Sequence, residues 1–320
     1  MLAIADNADS AGNFPLLSDN LVSCCLPESY PVQKIYYGTA PYTDATTTRN
    51  AILSAINSGK LLVNYIGHGY TDGWASESLF YANLVPNLTN TGMLPVVLAM
   101  TCSEGYHINP HTYDKNKEAL GEVVTRADAK GAIASWSPTG QGVASGHDLL
   151  NRGFYTAFFG DGVSTVGEAT LAGKLNLGGA SPDLLDTYLL FGDPALIMAR
   201  PGRALDDDYE TNEDQTLTIA SPGVLANDTP ESPDSMTAVL VANPSHGNLT
   251  LNADGSFIYE PNDNFYGIDY FTYKAVIDGI FTNRARVTIT VHPINDAPVV
   301  SDIPNRSEEH TSELQSRQSI

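Results

Sequence analysis

The chain has 320 residues, enough for about two domains, and its 42% hydrophobic and 17% charged content excludes a disordered chain. Its formal net charge of −21 excludes a nucleic-acid partner, whose phosphates require Lys and Arg, and argues against an anionic membrane surface. No apolar run reaches the roughly 18 residues of a membrane span, so we predict none.

The acidic residues are unevenly distributed along the chain. Residues 1–203 hold 18 acidic and 11 basic residues, a net charge of −7, whereas residues 204–300 hold 15 against 3, a net charge of −12. Such an excess of carboxylates is typical of an extracellular domain, often one that binds Ca²⁺ through oxygen ligands.

Short apolar runs alternate with helix-length segments up to about residue 200. The predicted strands are Leu2–Ala5, Lys34–Tyr37, Leu61–Ile66, Pro95–Met100, Gly131–Trp136 and Ala195–Ala199. Predicted helices include Thr46–Ser58 and Lys115–Ala129, and another carries Cys24 and Cys25, which we interpret as buried apolar residues. Continuous apolar strands are buried on both faces, so the pattern predicts an α/β fold with a mostly parallel sheet covered by helices on both faces.

The second region lacks a helical period. Gly, Pro, Asn and Asp recur there between short alternating runs, and "GNLTLNADGSFIYEP" predicts a hairpin that turns at Asn252–Gly255. We therefore predict an all-β sandwich at residues 204–295, after an α/β domain at residues 1–203.

The two ends of the chain have separate interpretations. Met1 leads straight into a predicted strand and no signal peptide is visible, so we expect the chain to begin inside its first domain. Residues 296–305 are interpreted as a linker or the start of another repeat. The segment "RSEEHTSELQS" within residues 306–320 resembles translated sequencing-adapter read-through, with a polar tail as the alternative.

Two predicted strands end in a reactive residue. "NYIGHGY" places His68 between two glycines, and "VVLAMTCSEG" places Cys102 at the end of a later apolar run. Neighbouring parallel strands bring their carboxyl ends to one edge of a sheet, where an imidazole can take the proton of a thiol nucleophile. The alternative is a buried core cysteine and a loop histidine with no catalytic role.

Several motifs together resemble the catalytic domain of gingipain-type cysteine peptidases, which has a caspase-like fold. They are "LLVNYIGHGYTDGWA", "LPVVLAMTCSEG", "ALGEVV", "GAIASWSPTG" and "LLFGDPAL", in this order within residues 1–200. The resemblance implies that Cys102 is the nucleophile, that His68 is the catalytic base, and that catalysis needs no cofactor. It also implies an oxyanion hole made by the backbone N–H groups of Gly69 and Cys102.

The same resemblance gives roles to four further residues. "LAIADNADSAGNF" resembles the family's strand and acidic loop upstream of the histidine, so Asp6 or Asp9 is a candidate for the carboxylate that orients His68. A helix cap or a metal-binding aspartate is the alternative for either residue. Ser135 and Trp136 resemble the wall of the pocket for the substrate residue before the cut, with core packing as the alternative for Trp136.

The second region resembles the cadherin-like, Ig-like repeats of bacterial surface proteins. "VLANDTPE", "HGNLTLNADGSFIYEPNDNFYGIDYFTYKA" and "VTITVHPINDAP" carry this resemblance. It implies a structural Ca²⁺ site with the candidate ligands Asp206, Asp207, Asp208, Asp228 and Asp296. A solvated acidic face is the alternative.

These observations predict a secreted or cell-surface cysteine endopeptidase that acts on protein or peptide substrates through a Cys–His dyad and an acyl-enzyme. The β-sandwich is expected to bind cell-surface, carbohydrate or protein ligands. The alternative function is a catalytically inactive peptidase-like scaffold within a surface adhesion or sorting protein.

Overall fold

A computed structural model describes residues 1–28, 30–108, 118–199, 202–229 and 236–295. The strands of its first domain are β1 (Leu2–Ala5), β2 (Gln33–Tyr36), β3 (Leu62–Ile66), β4 (Gly69–Tyr70), β5 (Gly73–Trp74), β6 (Phe80–Tyr81), β7 (Val96–Met100), β8 (Ala134–Pro138) and β9 (Tyr188–Phe191). The main sheet has the order β2-β1-β3-β7-β8-β9, and only its last strand is antiparallel to its neighbour. A small antiparallel sheet of β4, β5 and β6 follows β3.

Helices cover both faces of the main sheet. They are α1 (Phe14–Cys25), α2 (Ala45–Asn57), α3 (Leu120–Arg126), α4 (Ala144–Tyr155), α5 (Val166–Leu175) and α6 (Asp183–Thr187), with a 3-10 helix at Ala82–Asn87 and a π-helical turn at Thr156–Gly160. Alternate residues of a strand point to opposite faces, so Ala3 and Ala5 pack in one core while Leu2 and Ile4 pack in the other. Both faces are therefore apolar, which explains the continuous apolar runs.

Polar side chains fix where two of the helices begin. The Asn13 side chain accepts a hydrogen bond from Leu16 N at the start of α1, and Asp44 accepts one from Thr47 N at the start of α2. These caps satisfy backbone donors that the first helical turn leaves without partners. Because α1 follows the loop after β1, its cap also fixes the end of that loop.

The second domain is a β-sandwich. Its strands are β10 (Asp207–Asn212), β11 (Leu217–Ile219), β12 (Met236–Ala242), β13 (Gly247–Leu251), β14 (Phe257–Pro261), β15 (Gly267–Ile277), β16 (Ile280–Phe281) and β17 (Ala285–His292), with a 3-10 helix at Gly223–Leu225. One sheet has the order β10-β17-β15-β12, with β16 paired to β15, and the other has the order β11-β14-β13. Phe257 and Tyr259 of one sheet and Phe271 and Tyr273 of the other are fully buried in a shared core. The predicted hairpin is confirmed as β13 and β14, with Gly255 at its turn (φ +83°).

The β-sandwich contacts the first domain at the π-helical turn. The buried Lys274 of β15 donates a hydrogen bond from Nζ to the carbonyl oxygen of Gly160, 2.9 Å away. Ile280 of β16 packs against the core of the first domain. Gly162 has a positive φ of +73°, and a Cβ at this position would collide with the carbonyl oxygen of Thr282. The backbones of the two domains therefore touch at this junction.

The predicted fold class is confirmed, and three local predictions need correction. The strand predicted at Ala195–Ala199 is wrong, because the preceding apolar run, β9, supplies the edge strand that pairs with β8. The helix predicted at Lys115–Ala129 begins only at Leu120 in the described residues, which omit 109–117. Cys24 and Cys25 are not buried apolar residues, because they form a disulfide at the end of α1 and Cys24 faces solvent.

The remaining sequence predictions on organisation stay predictions. Residues 296–320, with the predicted linker and tail, lie outside the described residues. Across the parts of the chain that the structure describes, no helix is long and apolar enough to cross a lipid bilayer.

Gly162→Ala is expected to destabilise the folded chain more than Gly178→Ala, its control. Both glycines have positive φ, +73° and +55°, but a Cβ at Gly178 meets nothing within 4 Å. The backbone strain, about 1–2 kcal/mol, is common to both variants, so the additional loss at Gly162 reports the collision with Thr282. Thermal unfolding measures the difference, and equal melting temperatures would contradict the docked arrangement of the two domains.

Candidate active site

His68 and Cys102 leave the main sheet at the same edge. β3 and β7 are adjacent and parallel, with Ile66 opposite Met100 at their carboxyl ends. The backbone N–H of Gly67 donates to the carbonyl oxygen of Met100 at 3.2 Å, so the two chains stay paired as they leave the sheet. The adjacency predicted for these two strands is confirmed, and it brings the loops of His68 and Cys102 side by side.

The two loops approach so closely that glycine is required between them. A Cβ at Gly69 would collide with the side chain of Thr101, and a Cβ at Gly67 would collide with the side chain of Asp6. The glycines on both sides of His68 therefore permit close contact with the neighbouring strand ends. Gly69 and Cys102, the residues predicted to supply oxyanion donors, line one common cavity.

The His68 ring contacts Asp9. His68 Nε2 lies 2.8 Å from Asp9 Oδ2, and the two side chains are 44% and 39% exposed. The hydrogen bond from His68 is the main cause that holds the pKa of Asp9 below its ordinary value. Asp9 Oδ1 accepts a hydrogen bond from Ala11 N at 2.8 Å, which orients the carboxylate. Phe14 packs edge-on against the imidazole, with 5.3 Å between ring centroids.

Asp6 supports the backbone of this loop instead of the His68 ring. Its side chain is buried and accepts hydrogen bonds from the backbone N–H groups of Asn7 at 2.9 Å and His68 at 3.3 Å. Burial is the largest cause that raises the pKa of Asp6 above its ordinary value. Of the two candidate aspartates, Asp9 is therefore the one placed to orient the imidazole.

Two cavities meet at Cys102, which is the free cysteine of the chain. Its Sγ lies 3.7 Å from the carbonyl oxygen of Gly142, a long contact for a weak thiol donor. The larger cavity has a volume of about 440 Å³ and is lined by Gly69, Tyr70, Thr71, Asp72, Cys102, Ser103 and Gln141. The smaller cavity has a volume of about 170 Å³ and is lined by Ala11, Phe14, Gly67, His68, Cys102, Gly142, Val143, Ala144 and His147.

Ser135 and Trp136 line neither cavity. Trp136 is buried in the core, where it packs against Phe154 and Tyr188 at 6.0 and 5.3 Å between ring centroids. Ser135 is buried as well, and its hydroxyl shares a hydrogen bond of 2.7 Å with Ser137. The predicted substrate contacts of these two residues are therefore corrected to core packing, because β8 is covered on both faces where they lie.

A buried chain of contacts lies behind the two loops. Glu104, two residues after Cys102, is fully buried and accepts a hydrogen bond of 2.8 Å from Trp74 Nε1. The Trp74 ring stacks on Tyr65 at 4.5 Å, and the Tyr65 hydroxyl donates to the carbonyl oxygen of His68 at 2.6 Å. Burial raises the pKa of Glu104 to about 8, so this carboxyl is mainly protonated at neutral pH.

Sequence reasoning missed several residues that this site contains. Gln141, Gly142 and Val143 follow the carboxyl end of β8, and the glycines of "PTGQG" at that point were the available signal. The sequence signal for Glu104 was an acidic residue four positions after the last residue of an apolar strand. No sequence signal pointed to His147 on α4, because its place in the wall of the smaller cavity depends on where this helix packs.

The structure brings together two of the five aspartates proposed as calcium ligands. Asp207 and Asp228 are buried, and their carboxylates lie 3.4 and 3.0 Å from the hydroxyl of Tyr273. Burial is the main cause that raises both pKa values, to about 7 for Asp207. The other proposed ligands do not join them, since Asp206 and Asp208 are exposed and Asp296 lies outside the described residues. Within the described ranges, no group of three or more His, Cys, Asp or Glu side chains could hold a metal ion.

Comparison with known protein families gives two matches, one for each domain of the chain. The model of peptidase family C25 matches residues 1–199, and that of the bacterial cadherin-like domain matches residues 199–293. Gingipain R2 of Porphyromonas gingivalis (strain ATCC 33277) is 28% identical over 210 residues, which cover 62% of this chain and 27% of that protein. Gingipain R1 of Porphyromonas gingivalis is also 28% identical over 210 residues, which cover 62% of this chain and 20% of that protein. The chain thus spans less than a third of these curated relatives.

Two solved structures resemble the chain in fold. The crystal structure of the Arg specific cysteine proteinase gingipain R (RGPB) has a TM-score of 0.50 and 20% identity, with 91% of this chain and 67% of that chain covered. The complex of Porphyromonas gingivalis RgpB pro- and mature domains has a TM-score of 0.51 and 20% identity, with 91% and 68% covered. At 20% identity, this similarity supports the caspase-like fold of the first domain, but it does not assign roles to individual residues.

Glu104→Gln is expected to stabilise the fold at pH 8 and to change it little at pH 5. The folded-state pKa of about 8 lies above the ordinary value of 4.5, so the folded chain keeps a proton that the unfolded chain releases between these pH values. The contribution of Glu104 to the free energy of unfolding therefore falls as pH rises through this window, and the neutral glutamine removes that loss.

Chemical denaturation of the wild type and the variant across this pH range measures the effect. The difference between the two proteins cancels the other titrating groups, and Glu260→Gln, at an exposed carboxylate, is the matched control. A stability difference that does not vary with pH would contradict a buried, protonated Glu104.

Proposed function

Because the chain belongs to peptidase family C25, a family of cysteine peptidases, we propose that it hydrolyses peptide bonds with Cys102 as nucleophile and His68 as base. One observation carries this proposal: His68 and Cys102 follow adjacent parallel strands and line the same small cavity. Protein or peptide chains are the proposed substrates.

The contacts of His68 support a route for the proton. With Nε2–H donating to Asp9, the remaining ring nitrogen, Nδ1, is the one free to accept the thiol proton. The thiolate of Cys102 attacks the substrate carbonyl carbon, and the developing O⁻ is stabilised by the backbone N–H groups of Gly69 and Cys102. The imidazolium then gives its proton to the leaving amine, which leaves an acyl-enzyme that water hydrolyses.

Asp9 has a secondary effect in this mechanism. It holds His68 in one tautomer and stabilises the imidazolium, as a carboxylate does in other catalytic triads. The pair is partly exposed, and solvent screening weakens such an interaction relative to a buried one. Removal of the Asp9 charge should therefore cost less activity than removal of His68.

A thiol-reactive peptide probe tests the proposal. It should label the wild-type chain at Cys102 alone, since Cys24 and Cys25 are joined in a disulfide, and Cys102→Ala should not be labelled. His68→Ala should slow labelling by about 10²–10⁴-fold, the usual contribution of a general base, and Asp9→Asn by roughly tenfold. Asp128→Asn removes an exposed carboxylate that lines neither cavity, so this control variant should be labelled at the wild-type rate.

The outcome also decides between the peptidase and the inactive scaffold. Equal labelling of wild type and Cys102→Ala would refute the nucleophile assignment. The contact of the Cys102 thiol with the Gly142 carbonyl, instead of with His68, is the observation that favours a scaffold. An intact wild-type chain that neither reacts with the probe nor cleaves peptides would refute the peptidase proposal and favour the scaffold.

We also propose that the protein works outside the cell or at its surface. A bacterial cadherin-like domain follows the peptidase region, and the Cys24–Cys25 disulfide persists best in an oxidising environment. The β-sandwich is proposed to bind protein or carbohydrate ligands at the cell surface.

Of the five aspartates predicted to bind Ca²⁺, we propose Asp207 and Asp228 as the ligands. Their carboxylates and the carbonyl oxygen of Val224, which accepts from Tyr273, are the hard oxygen donors that Ca²⁺ prefers. Ca²⁺ takes about six to eight oxygen ligands, so water would supply the rest. An ion here would remove the repulsion between two buried carboxylates, which supports the fit.

Calcium is therefore expected to raise the melting temperature of the full chain. At roughly tenfold excess over the Kd, mass action adds about 1.4 kcal/mol to the free energy of unfolding. Magnesium should substitute poorly, because it requires tight octahedral geometry and retains its waters. Asp228→Asn should abolish the calcium effect. Asp208→Asn, at the exposed residue next to Asp207 on β10, should preserve it. A melting temperature that is the same in millimolar calcium and in chelator would refute calcium binding at Asp207 and Asp228.

A further inference from the structure

Glu104 connects the loop that carries the proposed nucleophile to the loop that carries the proposed base. Its carboxyl group is fully buried and accepts a hydrogen bond of 2.8 Å from Nε1 of Trp74, which is 1% exposed. Trp74 lies on β5, 30 residues earlier in the chain, in the hairpin that follows His68. Since water does not reach this bond, it holds the two loops at one separation.

Trp74 pairs with Gly69 across the hairpin of β4 and β5. The next residue, Ala75, donates its backbone N–H to the carbonyl oxygen of His68 at 2.8 Å. This pattern makes Gly69 and Trp74 a non-hydrogen-bonded pair of an antiparallel ladder, so the N–H of Gly69 is not used within the hairpin. The contact between Trp74 and Glu104 therefore acts on the residue that carries one of the two proposed oxyanion donors.

Glu104 is equally close in the chain to the other proposed donor, the backbone N–H of Cys102. Ser103, between these two residues, has a φ of +55°, a left-handed conformation that is strained for a residue with a Cβ. Ala75, directly after Trp74, has a similar φ of +57°. Such conformations persist where the surrounding contacts hold them, and these two residues flank the contact between Glu104 and Trp74.

The neutral form of the Glu104 carboxyl suits a role beside a developing negative charge. Burial raises the pKa of Glu104 to about 8, against a smaller opposing effect of the hydrogen bond from Trp74. Tyr65 and Tyr188 interact with this carboxyl, and burial raises the pKa of both hydroxyls well above the ordinary value, so they are neutral as well. The group therefore supports the two loops without a charge that would repel the oxyanion.

We propose that Glu104 is a positioning residue for the oxyanion hole, and that through Trp74 it fixes the distance between the backbone N–H groups of Gly69 and Cys102. This inference rests on the proposed peptidase function. Glu104 and Trp74 line neither cavity, so they act on the reaction without contact to the substrate. Loss of their hydrogen bond should weaken stabilisation of the oxyanion and leave the reactivity of the thiol unchanged.

Two reactions of Cys102 in the full chain separate this role from a general structural one. The first is acylation by an N-blocked peptide thioester, chosen as the one that the wild type hydrolyses fastest from a panel. The thiolate attacks the carbonyl carbon through an oxyanion, the C–S bond to the leaving thiolate breaks, and this thiolate takes the proton from His68. The second is alkylation by iodoacetamide, which loses iodide from a saturated carbon and forms no oxyanion. Cys24 and Cys25 are joined in a disulfide and do not compete for either reagent.

Trp74→Phe removes the donor to Glu104 and keeps an aromatic ring against Tyr65. Its acylation rate is expected to fall about tenfold or more, since complete removal of an oxyanion donor costs roughly 10²–10³-fold. Its alkylation rate should stay within about twofold of the wild type, because alkylation depends on the thiolate and its exposure. Glu104→Gln keeps an uncharged acceptor for Trp74 and should retain nearly the wild-type acylation rate. Trp136→Phe, the control, shortens another buried tryptophan that lines neither cavity and should leave the ratio of acylation to alkylation unchanged.

Glu104→Leu replaces Trp74→Phe if the latter does not fold, since it removes the acceptor and leaves the indole in place. A wild-type ratio of acylation to alkylation in this variant or in Trp74→Phe would overturn the positioning role, while the peptidase function stands. Equal losses in both reactions would also overturn it, because they would indicate damage to the thiol or the fold. Glu104→Gln with as large a loss of acylation as Trp74→Phe would contradict the role of the uncharged acceptor. If no thioester acylates the wild type and the peptide probe does not label Cys102, the peptidase function and the positioning role fail together.

Discussion

The parallel pairing of β3 with β7 fixes the distance between the loops that carry His68 and Cys102. Both strands are fully buried and in register up to Ile66 and Met100, so neither loop can shift along the sheet without moving core residues. The close approach of Gly69 to Thr101 then leaves no space for a side chain between the loops. The geometry of the proposed catalytic pair is therefore set by sheet packing, and the reactive side chains themselves contribute little to it.

The buried contacts of Glu104, Trp74 and Tyr65 hold the same two loops from behind. Two hydrogen bonds and a ring stack connect Glu104, two residues after the proposed nucleophile, to the carbonyl group of His68. The site thus combines a partly exposed hydrogen-bonded pair, His68 with Asp9, with the sealed carboxyl of Glu104, which solvent does not reach. The exposed pair is suited to proton transfer, and the sealed group to positional support.

The sequence predicted the features that depend on local pattern. Continuous apolar runs located most of the strands, and a glycine-flanked histidine and a cysteine at two strand ends located the candidate site. Features that depend on long-range packing were not predictable in this way. β9 was missed because two apolar runs lie within 12 residues of each other, and only pairing with β8 decides between them. The resemblance assigned Trp136 to a pocket, and sequence position alone could not correct this, because it does not reveal which side chains a helix will cover.

The helix α4 connects the two regions of the molecule that carry separate proposals. It begins at Ala144, in the wall of the smaller cavity, and its 12 residues, about 18 Å long, lead into the π-helical turn whose Gly160 accepts from Lys274. The β-sandwich therefore contacts the same helical segment that begins at the smaller cavity. A ligand that anchors the β-sandwich to a surface would limit, through this contact, the distance at which the cavity can reach a peptide, so that reach would restrict which peptide bonds are cut.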